Sequence, residues 1–425
     1  MRTESVAFLM ASCLLAAGGC RGRPRASGPY GDKVAADVPM IEKALGRPFK
    51  TPPRLETRTH DQVRDFLVKG LQEPRAQREL AGEQFTYKLL GLIPDTLDLP
   101  KFMVSLLTEQ IIGYYDPATK ILYVVQGAPD VYVGVTIMHE LVHALQDQYV
   151  NLDSIEHAYG DDDREAAAQA VIEGQAVYEQ AVLMAGGPDN IAVQLPGGWD
   201  QMRQAIRDQE TTQPIFASAP MVIQESLLFP YINGAEFIRR YLEKHPSTSP
   251  LDRFPLSTTQ VMHDSAYFGK APDVPLIVGL PPVADAVYDN DLGEFGTRLF
   301  FYQHLGNLNA AASAASGWMG DRYIAFHAAG GPGIVWVTTW DSPVSAAGYA
   351  SALGEVVKRR YSVDKPAVAD DGTRRYTGAT RTVVISSREI DDHTTVEYVD
   401  VPAGASTNVL DLSRITLRAA PPASR

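Results

Sequence analysis

Cysteine is nearly missing from this chain of 425 residues: there are two, Cys13 and Cys20, and both lie within the first twenty positions. Beyond them no disulfide can form, and no thiolate is there to bind zinc or act as a nucleophile. Long apolar runs are missing too. The run near the start, residues 6–15, is shorter than the roughly 20 residues a spanning helix needs. Positive charge is in deficit. Lys and Arg number 38 against 51 Asp and Glu, and the net charge of −13 argues against nucleic acid as a partner. Long repeats and low-complexity tracts are also lacking. What remains is 45% hydrophobic, ample for a large core in two domains.

The start of the chain bears on the compartment. Arg2 is the one basic residue before residues 6–15, and Ala16-Ala17-Gly18-Gly19-Cys20 follows. A basic start, an apolar stretch and small residues at the cut describe a signal peptide over residues 1–20. The small residues before Cys20 resemble a bacterial lipoprotein box, with Ala17 where that box usually has Leu. The resemblance implies a lipid anchor at Cys20 and a protein held to a membrane of the cell envelope; plain secretion is the other reading. Residues 21–33, with Arg, Gly, Pro and Ser but few apolar residues, read as a flexible tether.

The most telling stretch is His139-Glu140-Leu141-Val142-His143, an HExxH motif. Residues four apart share a helix face, so two imidazoles can aim at one ion. Glu140 sits one step around, close enough to take a proton from a water whose pKa zinc has lowered to about 7. No Ser or Cys nucleophile is then needed. Met138, Leu141, Val142 and Leu145 form an apolar stripe at helical spacing, which would bury one side and leave the ligands on another.

A third ligand is expected at Glu173, in Val171-Ile172-Glu173-Gly174-Gln175-Ala176. Residues 164–184 read as a helix ended by Gly186-Gly187-Pro188. A carboxylate beside Ala170, Ala176 and Val177 is costly to bury unless something pairs with it. Gly174, unfavourable in a helix by about 1 kcal/mol relative to Ala, suggests a close backbone neighbour, for which the HELVH helix is the candidate. Glu165 and Glu179 compete as third ligands, and Asp161, Asp162 and Asp163 are loop alternatives.

HELVHALQDQ followed by VIEGQA resembles the gluzincins, zinc peptidases that take two His from HExxH and a Glu from a later helix. The chain is more closely similar to a group of uncharacterised, predicted metallopeptidases of the prokaryotic cell envelope. That likeness covers about residues 110–340 and includes Gly113-Tyr114-Tyr115-Asp116, Phe229-Pro230-Tyr231-Ile232-Asn233-Gly234, the stretch from Ser257 to His263 and the stretch from Gly317 to Tyr323. It implies a zincin-like fold, Zn2+ and the ligands His139, His143 and Glu173, but no particular substrate. By the same likeness, an oxyanion donor lies downstream of the third ligand, and Tyr231 and His263 are the candidates.

Residues 111–125 read as a hairpin turning at Asp116-Pro117-Ala118-Thr119. In zincins such a strand borders the cleft and pairs with substrate backbone, so the same is expected here. Helices are expected at 34–45, 61–72, 102–111 and 199–209, a helix or helix pair at 224–244, and a strand at 54–57. The fold class is α+β: a mainly helical catalytic domain with a small sheet over residues 34–275, then a smaller αβ domain over 276–425. In the latter, a helix is expected at 292–304, strands at 323–326 and 334–340, a Ser342-capped helix to Arg360, and a hairpin at 383–387 and 395–401. The expected activity is hydrolysis of a peptide or protein substrate with Glu140 as general base. A non-catalytic, zinc-stabilised envelope lipoprotein acting in binding or assembly is the alternative.

Overall fold

A computed structural model describes residues 30–158, 160–187 and 213–421. The signal peptide, residues 21–29 of the tether and the helix expected at 199–209 lie outside the described residues, while residues 31–33, expected in the tether, open the first helix. None of the described helices is long and apolar enough to cross a membrane.

The first half is mainly helical around a small mixed sheet. Helix α1 (Gly31–Leu45) is followed by β1 (Arg54–Arg58), α2 (His60–Leu71), α3 (Pro74–Leu90) and α4 (Leu99–Gln110). Then come β2 (Gly113–Asp116), β3 (Ile121–Val125) and the motif helix α5 (Asp130–Gln146). The sheet order is β1-β3-β2, with β1 parallel and β2 antiparallel to β3. Alternation along the strands divides the core. Tyr115, Leu122 and Val124 pack with α1 and α5, while Tyr114 and Tyr123 enter the larger cluster on the other face.

After the short α6 (Leu152–Ala158) the chain forms α7 (Asp162–Met184), which Asp161 caps by accepting from the Arg164 amide. Beyond α8 (Pro214–Ser218) runs α9 (Met221–Lys244), one helix that carries Pro230 inside it. Two short helices, α10 (Thr258–Met262) and α11 (Asp264–Phe268), follow. Helices α7 and α9 cross at two glycines. A Cβ on Gly174 would lie 2.2 Å from the Gly234 carbonyl carbon, and one on Gly234 would lie 2.2 Å from the Ala170 oxygen. The close backbone at Gly174 is therefore that of α9, not the motif helix.

The second half is rich in antiparallel strands, and α+β describes the whole. Strand β4 (Leu276–Gly279) pairs with β12 (Thr416–Ala419). Between them lie β5 (Ala286–Asn290), α12 (Gly293–Leu305), α13 (Leu308–Ala315), β6 (Trp318–Ala328), β7 (Gly331–Trp340) and α14 (Pro343–Tyr361). Strands β8 (Ala367–Val368), β9 (Arg374–Thr377), β10 (Arg381–Ile390) and β11 (His393–Pro402) complete a seven-stranded sheet of order β5-β6-β7-β11-β10-β9-β8. Along β7, Ile334, Trp336 and Trp340 face α14, whereas Val335 and Val337 join Val278 and Leu410 on the opposite face. No described strand pairs between the two halves, yet one apolar cluster runs through both, from Val63 to Tyr398.

Candidate metal centre

The motif helix is buried all round from Thr136 to Asp147, not along one stripe. Its polar side chains are thus inside, and each needs a partner. Helix α7 supplies them for His139, His143 and Gln146, and the β2–β3 hairpin for Glu140 and Asp147. Helix α7 too is buried on every side from Ala167 to Gln180, despite carrying Gln169, Glu173, Gln175, Glu179 and Gln180.

His139, His143 and Glu173 converge. The two Nε2 atoms lie 3.1 Å apart, and each lies 3.2 Å from Glu173 Oε2. Zinc bound tetrahedrally at its usual bond lengths separates ligand atoms by about 3.3 Å, so the triangle has the size of a metal's ligand face. Two ring nitrogens and a carboxylate directed at one point could hold a metal ion. The three side chains are buried and form the one cluster of metal-ligating type among the described residues.

Electrostatics within the site are strong. Burial alone would push the Glu173 carboxyl up, but His143 beside it and hydrogen bonds from both imidazoles hold it at about 2. Burial works against charge on His143 as well, yet the Glu173 charge carries it up to about 9. His139 is held below the ordinary imidazole value by burial. Burial pushes Glu140 up to about 8.

Glu140 is fully buried, and its two oxygens differ. Oε2 accepts the Tyr115 amide of β2 at 2.7 Å, while Oε1 has no hydrogen-bond partner. Strand β2 is an edge of its sheet, as the hairpin reading requires, but it is buried along its length. Its Tyr115 amide holds the Glu140 carboxylate, so this part of the edge is not free for substrate pairing.

Other candidates fall in different places. The Tyr231 ring, on α9, stacks on His139 with centroids 6.3 Å apart and planes 24° apart. His263, between α10 and α11, bonds Glu294 at 2.8 Å, and Arg298 holds the same carboxylate at 2.6 Å. That cluster ties α10 to α12 and has no contact with the triad. Glu165 and Glu179 stay outside the ligand cluster; burial pushes their carboxyls up to about 8 and about 7. Asp161 caps α7, and Asp163 accepts from the Thr258 amide and hydroxyl. In the stretch from Gly317 to Tyr323, Asp321 takes the Trp318 and Trp336 indoles and the Leu292 and Gly293 amides, a structural knot.

Sequence reading missed three side chains next to the triad. Gln146 bonds His143 Nδ1 at 2.9 Å and reaches α7 at the Ile172 carbonyl and Gln175 Oε1, each at 3.0 Å. Gln180 bonds His139. The signal for Gln146 was its place one helical turn beyond His143.

Residues 282–411 match a family described as a domain of unknown function (DUF8575), a stretch that includes all seven strands of the large antiparallel sheet and none of the triad. No curated protein and no solved structure matches the chain.

Proposed function

We propose that the protein is a zinc-dependent peptidase. One observation carries the reading: beside three converging metal-ligating atoms stands a buried carboxylate with one oxygen tethered and the other, Glu140 Oε1, unbonded. Leaving such an oxygen without a partner is costly, and a reacting water would satisfy it. A site that served only stability would usually be closed by a fourth protein ligand and would have no use for this base.

His139, His143 and Glu173 would hold the ion, and the N2O donor set suits zinc. When bound, zinc acts as a Lewis acid and lowers the pKa of a water. Glu140 Oε1 takes the proton of the attacking water and returns it to the leaving amine. The Tyr115 amide fixes the carboxylate for both transfers. Tyr231, next to His139, donates to the developing oxyanion. The substrate is a peptide or protein. The signal-like start and Cys20 support a lipid-anchored location in the cell envelope.

The complete burial of the triad favours a second reading, a zinc-stabilised envelope lipoprotein with a binding or assembly role. Glu140→Gln separates the two. Casein or envelope-peptide cleavage by the detergent-solubilised full chain should stop on chelation and fall by about 10²- to 10⁴-fold in the variant, with zinc content unchanged. Cleavage at the parent rate in Glu140→Gln would remove the base from the mechanism. No cleavage by the zinc-loaded parent, with zinc loss lowering its melting temperature, would favour the binding role.

A further inference from the structure

We infer that Gln146 is a positioning residue that sets the tautomer of His143 for the metal and takes its own orientation from the backbone of the Glu173 helix. The inference rests on the triad being a metal site.

The steps follow from which atoms can donate. The Ile172 carbonyl only accepts, so the Gln146 atom 3.0 Å from it is the amide nitrogen. The same nitrogen lies 3.0 Å from Gln175 Oε1, which also accepts. An amide whose two ends are otherwise hard to tell apart is thereby oriented. Its Oε1 then faces His143 Nδ1 at 2.9 Å, and because that oxygen only accepts, Nδ1 carries the hydrogen. With a metal ion in place the imidazole is neutral, and protonation at Nδ1 leaves the Nε2 lone pair for the ion; Nε2 is the atom that points to His139 and Glu173.

Gln146 is fully buried, so water does not compete for these bonds. It lies one turn beyond His143 on α5, and Ile172 immediately precedes Glu173 on α7. One amide therefore couples the ring angle of one ligand to the position of the helix that carries another. Metal-bound histidines commonly lean on a carboxylate or a carbonyl for this purpose. An amide does it without adding a third buried negative charge beside Glu140 and Glu173.

The test is nitrogen-resolved NMR of the histidine side chains in the full chain, with zinc affinity measured by chelator competition. In the zinc-loaded parent protein, His143 should carry its proton on Nδ1, with Nε2 on the ion. Gln146→Met, similar in shape but unable to hydrogen-bond, should lose that preference and bind zinc about 10- to 100-fold more weakly. Gln146→Glu, which keeps an acceptor toward His143, should restore the Nδ1–H signal. A parent spectrum with the proton on Nε2 overturns the inference, and it decides the matter even if Gln146→Met does not fold. Zinc binding that survives both His143→Ala and Glu173→Ala defeats the metal reading and this inference with it. Loss of zinc in those two, with parental affinity in Gln146→Met, overturns the inference alone.

Discussion

At the scale of single residues, the position of Tyr231 gives it a separable role. Its ring is buried and stacks on His139, so the aromatic body contributes packing whatever the hydroxyl does. Tyr231→Phe keeps that body and removes only the donor. We expect zinc content and melting temperature to stay at parental values while kcat falls by about 10²- to 10³-fold, the usual cost of one oxyanion donor. A kcat within experimental error of the parent would return Tyr231 to a packing role. His263 was an equal candidate on the sequence, since both residues lie downstream of the third ligand. Distance along the chain carried no information about which would approach the triad. The long helix α9 brings Tyr231 to His139, whereas the turn between α10 and α11 delivers His263 to Glu294. The histidine pair was legible because four-residue spacing on a helix is a geometric statement. Glu173 needed the added knowledge that a later helix supplies the third ligand, because burial alone could not separate it from Glu179.

At the scale of elements, the crossing of α7 and α9 fixes where Glu173 and Tyr231 meet the motif helix. The two backbones touch at Gly174 and Gly234, with no room for a methyl group on either. Gly234→Ala must push the helices apart, at a cost of about 1–3 kcal/mol. The displacement should also move Tyr231, less than one turn away on α9, from His139. We expect a melting temperature several degrees lower, together with weaker zinc binding; a variant that melts and binds zinc as the parent does would show that the contact is not tight. Gly174 hinted at such an approach, but a single sequence does not say which helix arrives. Most elements near the site were legible because their patterns are local: the stripe of α5, the turn of the β2–β3 hairpin, the glycine stop after α7. Helix α3 was missed, since Pro74–Leu90 mixes charged and apolar residues without a clean stripe. Helix α13 was not expected either, although its alanines favour helix. The β4–β12 pair joins Leu276 to Ala419, and no local pattern encodes that partnership.

At the scale of the whole molecule, the C-terminus of α3 is one place where the sheet-bearing half grips the helical half, beside the start of α7. Arg360, on α14, donates to the Leu89 carbonyl at 2.7 Å, and His304, on α12, bonds the Leu90 carbonyl at 2.9 Å through Nε2. These carbonyls end a helix, where positive and donating groups are favoured. Yet His304 stays neutral: burial, with Arg360 beside it, depresses its pKa from the ordinary 6.5 to about 4. In the unfolded chain it would take a proton near pH 6.5, and in the folded chain only near pH 4. Between those values the unfolded state binds more protons, so stability rises with pH. The contribution is present in full above pH 6.5, declines as the pH falls, and is exhausted once the pH has passed through 4. A shift of this size is worth at most about 3 kcal/mol. His304→Gln can still donate to Leu90 but does not titrate. The parent should therefore lose more melting temperature than the variant between pH 7 and pH 5, by several degrees. Parallel losses would mean that the acid sensitivity of the junction arises elsewhere, and that His304 gives up little by staying uncharged between the two halves.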